Sequence, residues 1–145
     1  MRILLFLHLV LLSAWLGCIL VEAIYEHSIE KTDGMRIFVS RLHWTTDKFI
    51  EIPAFVGVLL TGAVMATQVA MTPLLALKIL FGLIAIIFNA ICVVLVMKRL
   101  RYANAADFDA WAWEAIDHRQ HVYGAVVLIG LLLALGIGGY LYIMG

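Results

Sequence analysis

Five histidines and ten acidic residues are the side chains of this chain best suited to hold metals or move protons, and they are unevenly spread. Glu22, Glu26 and His27 fall within six positions. His43, Asp47 and Glu51 follow at intervals of four, along one strip of a helix. Glu114, Asp117, His118 and His121 form an i, i+3, i+4, i+7 face. These residues all stand where long apolar stretches give way to polar sequence. Carboxylates and imidazoles projecting from facing helices are how bundles build di-metal sites. The metal candidates are therefore Glu22, Glu26, His27, His43, Asp47, Glu51, Glu114, His118 and His121, with Fe, Cu or Zn ions as the species such donors take. The Glu-x-x-His pair of the di-iron carboxylate bundles is absent. A solvated collar of Glu–Arg and Asp–Lys pairs, worth under about 1 kcal/mol each, produces the same pattern.

A second set lies deeper in apolar sequence. His8, Trp15, Glu22 and Glu26 are separated by seven, seven and four residues, which places them on one helical face. Lys78 stands five residues past Pro73, some 8 Å along a helix at 1.5 Å per residue. Ionisable groups inside a membrane span cost at least about 2.5–3.5 kcal/mol at its centre, so they face the bundle interior and mark sites. Lys78 reads either as a snorkelling side chain or as the partner of a bound carboxylate such as a haem propionate. His8 and Glu22, fourteen residues apart, lie about 21 Å from each other along a helix, so one small ion cannot use both.

The elements that position these groups follow from composition. The chain has 145 residues, 65% hydrophobic and 14% charged, with a mean hydropathy of +1.05. That excludes a soluble enzyme, a disordered tail and a coiled coil. Net charge is zero, which leaves no basic face for nucleic acid. Cys18 and Cys92 lie in apolar runs as small hydrophobes, not as a disulfide framework. Four stretches, about 3–22, 50–70, 74–97 and 122–144, are long enough to cross a bilayer as helices. The short Met71–Thr72–Pro73 connection forces spans two and three into a hairpin, with Thr72 as cap and Pro73 at the first helical position. The expected fold is all-α, a single integral membrane domain over 1–145 arranged as an up-down-up-down four-helix bundle.

Orientation follows from basic residues in the connections. Lys31, Arg36, Arg41 and Lys48 lie in the first, and Lys98, Arg99, Arg101 and Arg119 in the third, against Arg2 and Lys78 opposite. Both long connections are expected in the cytoplasm and both termini outside a bacterial-type inner membrane. The fourth helix is expected to start near Asp107 and the second near His43, with Pro53 bending it. Ser13 and Gly17, the glycines of the second and fourth spans, and Asn89 read as helix-packing positions. Trp44, Trp111, Trp113, Tyr102, Tyr140 and Tyr142 fit an aromatic belt.

The first helix, LHLVLLSAWLGCILVEAIYEH, resembles the opening helix of the bacterial haem-binding membrane protoporphyrinogen oxidases and of the membrane domain of copper-resistance D proteins. His8, Trp15, Gly17, Tyr25 and His27 carry the likeness, with Ile52, Pro53, Ala54, Thr61 and Gly62 in the second helix and Lys78 in the third. Glu22 stands where those oxidases place an arginine. The resemblance implies a redox protein holding b-type haem, with His8 as axial ligand, Trp15 packed on the cofactor and Lys78 as electrostatic partner. His118 or His121 would be ligands from the other end, with quinone or porphyrin as small-molecule partners. Two other readings stand beside it: a haem-free metal-binding protein, and a non-catalytic subunit of a homo-oligomer or larger membrane complex.

Overall fold

The computed structural model describes residues 2–28, 32–104 and 110–144. Four long helices account for nearly all of them: α1 (Arg2–Ser28), α2 (Asp33–Ala66), α3 (Pro73–Ala103) and α4 (Ala110–Met144). No strand occurs among the described residues, and each helix is long and apolar enough to cross a membrane. The fold is an all-α four-helix membrane bundle, as the hydropathy pattern predicts. Lys31 and the expected cap Asp107 lie outside the described residues.

The helices run past the apolar spans. At 1.5 Å per residue the 35 residues of α4 extend about 52 Å, against roughly 30 Å of bilayer hydrocarbon. The surplus is polar sequence at one end, here called the charged end, where α1 continues to Ser28, α2 begins already at Asp33 and α3 reaches Ala103. At the opposite, turn end, α2 stops at Ala66 because the chain folds into a turn, with the Gln68 N–H bonded to the Met65 carbonyl at 3.0 Å. Thr72 is then extended, and its hydroxyl accepts from the Leu75 N–H at 3.2 Å, capping α3 ahead of Pro73.

The second helix is not uniform. Residues Asp47–Glu51 form a π turn, closed by an Ile52 N–H to Asp47 carbonyl bond. Pro53 lies two residues on; its ring cannot donate and clashes with the carbonyl four residues earlier, so the ladder widens where α-helical bonding would fail. The sequence expectation was a bend at Pro53, and the structure resolves it as this turn.

The apolar core lies between the helices at mid-depth, where Trp15, Ile19, Phe55, Val58, Val127 and Leu131 pack together. Leu60, Leu80, Ile87 and Ile129 are exposed on the outside, as aliphatic side chains solvated by lipid are. Helices approach closely at two glycines, Gly57 against a side chain and Gly130 against a backbone carbonyl. A Cβ at Gly57 would stand 2.7 Å from Leu11 Cδ1, and one at Gly130 would stand 3.1 Å from the Phe81 carbonyl oxygen. The other packing expectations divide. Gly62 and Gly138 also meet side chains, whereas Gly17, Gly124, Gly136 and Gly139 face open space and Ser13 bonds to its own helix. Trp113 is buried, so it does not belong to the exposed aromatic belt.

Candidate metal centre

At the charged end the interior is polar. Its side chains come from regular stripes: Glu22 and Glu26 on α1, Ser40, His43, Asp47 and Glu51 on α2, Arg99 on α3, and Asp117 and Gln120 on α4. His43 stands at the middle. Its Nδ1 lies 2.5 Å from Glu26 Oε1, so the ring N–H donates to that carboxylate. Its Nε2 then faces Glu22 Oε2 at 3.2 Å and Asp47 Oδ1 at 3.6 Å. This is the arrangement in which metal-binding histidines are held, one nitrogen steadied by a carboxylate and the other presented to the ion. Donors of a tetrahedral ion with bonds of about 2.1 Å sit roughly 3.4 Å apart, close to both separations.

Asp47 decides the character of the group. It is 1% exposed, and neither of its oxygens meets an N–H or hydroxyl donor among the described residues. A proton shared with the adjoining Glu51 carboxyl, the charged form of the His43 ring 3.6 Å away, or a bound cation can compensate it. Glu22, by contrast, accepts from the Thr46 hydroxyl at 2.5 Å and from the Cys18 thiol at 3.4 Å through its other oxygen, Oε1. No lysine or arginine among the described residues forms an ion pair with Glu22, Asp47 or Glu51.

A second group, Glu26, Asp117 and His121, adjoins the first and is already neutralised. Arg99 is 0% exposed and donates to Asp117 Oδ1 at 2.6 Å and to Glu26 Oε1 at 2.5 Å. Its guanidinium also lies 5.3 Å from the Trp113 ring centroid, and the Trp113 N–H donates to Ser40. His121 Nε2 stands 3.5 Å from Glu26 Oε2 on the rim of this group. The cation that a metal would supply there is present as a side chain.

The sequence-derived candidates are thus sorted. Glu22, His43 and Asp47 come together, with Glu51 adjoining through Asp47; Glu26 and His121 belong to the neighbouring arginine-centred group. His27 is exposed, its ring edge-on to His121 at 5.0 Å. Glu114 is exposed and pairs with Arg36, which also holds Asp33; here the collar reading describes the molecule. His118 is exposed and enters neither group. Arg99, Thr46 and Gln120 are participants that spacing of acids and histidines alone does not find. Arg99 falls on the 85, 89, 92, 96, 99, 103 stripe of buried α3 positions, and that three-four periodicity is the signal that marks it.

His8 lies at the far end. The Thr61 hydroxyl donates to the Gly57 carbonyl at 2.7 Å, so His8 Nδ1–H donates to Thr61 Oγ1 at 2.8 Å and the lone pair of the ring lies on Nε2. Lys78 packs on α4 beside Gly138. Trp15 is a core residue that donates to Asn89 Oδ1 at 3.3 Å and packs on Phe55. Because His121 touches Glu26, eighteen residues from His8 along α1, about 27 Å of helix separates the two histidines' levels. They cannot be axial ligands of one haem. No family model, curated protein or solved structure matches this chain.

Proposed function

We propose that the protein is an integral membrane metal-binding protein whose centre is formed by Glu22, His43, Asp47 and Glu51. The carrying observation is the Asp47 carboxylate, sealed from solvent without an N–H or hydroxyl donor and set against an imidazole nitrogen and two further carboxyls. Three carboxylates and one imidazole suit a divalent ion of intermediate hardness, Zn²⁺ or Fe²⁺, better than soft Cu⁺. Among the described residues, five carboxyls with buried side chains (Glu22, Glu26, Asp47, Glu51 and Asp117) face the Arg99 guanidinium and the His43 imidazole, and an ion at the first group reduces the remaining excess of acid. The basic residues gathered at the charged end favour placing it on the cytoplasmic side, with both termini across the membrane.

Elemental analysis of purified protein tests this reading. The expected result is about one divalent ion per chain, falling below about a fifth in Asp47→Asn with helicity unchanged. Equal metal content in the two proteins would overturn it.

A redox reading with haem is supported by one separate observation, the His8 ring steadied through Nδ1 by Thr61, as the ring of an axial ligand is, with its lone pair on Nε2. Oxidised and dithionite-reduced spectra of the same sample test it. A Soret band lost in His8→Ala supports haem at the turn end; its absence after expression with haem supply removes that reading and leaves the metal centre untouched.

A further inference from the structure

Two histidines stand on the rim of a cleft of about 220 Å³ between α1 and α4, each tied to its own helix in the same way. His27 Nδ1 lies 2.7 Å from the Ala23 carbonyl, and His121 Nδ1 lies 2.8 Å from the Asp117 carbonyl. A carbonyl only accepts, so each Nδ1 carries the hydrogen and the lone pair of each neutral ring lies on Nε2. The two rings meet between the helices, their centroids 5.0 Å apart and their planes at 81°. Metal-binding histidines are held like this, one nitrogen bonded to a backbone carbonyl and the other left for the ion.

A carboxylate completes the set. Arg99 and His43 both engage Glu26 through Oε1, and its Oε2 stands 3.5 Å from His121 Nε2. Donors on one tetrahedral ion with bonds of about 2.1 Å sit roughly 3.4 Å apart, and the centres of two imidazoles on it roughly 5 Å apart. Both spacings match those found here. The oxygen of Glu26 that Arg99 neutralises is not the one that His121 meets.

We propose that His27, His121 and Glu26 form a second ion site, open to water, through which a divalent ion such as Zn²⁺ loads into the buried centre. Two imidazoles and a carboxylate, with water in the fourth place, are a donor set that zinc takes. His27 is exposed and His121 half-buried, so a hydrated ion can exchange its waters for these donors one at a time. Asp47, 1% exposed, offers no such access. The cleft joins the two, since it is lined by His27, Glu26 and His121 and also by Glu22, His43 and Glu51. From His27 to Glu22 is five residues of α1, about 8 Å. Glu26 belongs to both, its Oε1 steadying His43 and its Oε2 beside the rim histidine. The loading role rests on the metal reading above; the rim site does not.

The test uses untagged, metal-stripped protein in phosphatidylcholine nanodiscs, with Zn²⁺ as the probe. In Asp47→Asn, which disables the buried centre, equilibrium dialysis is expected to find one weakly held ion per chain. His27→Ala and His27→Phe in that background are expected to weaken it by about tenfold or more, as loss of even an outer partner does. Phenylalanine keeps the ring contact with His121 and removes only the nitrogens, and the exposed position leaves the core undisturbed. With Asp47 intact, mixing with Zn²⁺ and quenching with a chelator follows filling of the buried centre. Its rate, relative to final content, is expected to fall about tenfold in His27→Phe. Zinc affinity unchanged by both His27 substitutions would overturn the rim site, and loading at the wild-type rate in His27→Phe would overturn the entry role. Wild-type protein holding only the ion that is lost with His27 would overturn the buried centre instead and support the rim site.

Discussion

Arg99 divides the buried acids into two unlike groups. Between Glu26 and Asp117 it supplies a fixed positive charge, so its removal leaves two carboxylates uncompensated in the interior. Breaking a buried pair in this way costs about 3–5 kcal/mol, and Arg99→Met is expected to lose that much in a detergent unfolding titration. Arg99→Lys is expected to recover only part of it, because an ammonium cannot bridge both carboxylates as the planar fork does. The first group has no guanidinium or ammonium among the described residues, its counter-charge being the His43 imidazole 3.2 Å from Glu22 and 3.6 Å from Asp47, and its behaviour with pH has a definite sign. Metal ligands must be deprotonated, so the metal bound per chain is expected to fall as pH is lowered, measured after equilibrium dialysis across pH 8 to 5. Spacing made Glu22, His43, Asp47 and Glu51 legible as one strip facing another. It did not separate them from His118 and Glu114, which share the α4 segment but turn outward, because a four-residue ladder identifies a face without saying which face is inside. Stripes of all buried positions, apolar ones included, make that distinction.

Among the elements, the interface of α3 with α4 depends on the absence of a side chain. With Gly130 against the Phe81 carbonyl, a branched residue must push the backbones apart. Gly130→Val is expected to destabilise the protein by about 1–3 kcal/mol, read from thermal unfolding in detergent, whereas Gly136→Ala, facing open space, is expected to be neutral. Apolar runs made the spans legible, and the capping pair Thr72–Pro73 placed one helix start to the residue. The extensions at the charged end were harder to read, since polar helices such as 33–46 resemble connecting sequence until tertiary contacts hold them. The π turn is a consequence of Pro53 that hydropathy does not register. It sits between Asp47 and Glu51, so the local widening sets how two of the candidate ligands are spaced.

For the whole molecule, the excess of lysine and arginine at the charged end yields a topological prediction. Single cysteines at Gln68 and at Asn104 in a Cys18→Ala, Cys92→Ala background are expected to react with an impermeant thiol reagent from opposite sides of the membrane, Gln68 from outside. The helices themselves associate as two hairpins. α1 packs along the membrane part of α2, and α3 along α4, while the two pairs meet where Arg36, His43, Arg99 and Trp113 interlock and again across the apolar core, where Trp15 bonds to Asn89. The molecule therefore resembles a pair of tweezers clasped by charge at one tip and held at mid-length by apolar packing. Protonating the acids of that clasp should slacken the grip between the arms before either arm unwinds, so that acid loosens the seam facing the lipid while leaving helical content intact.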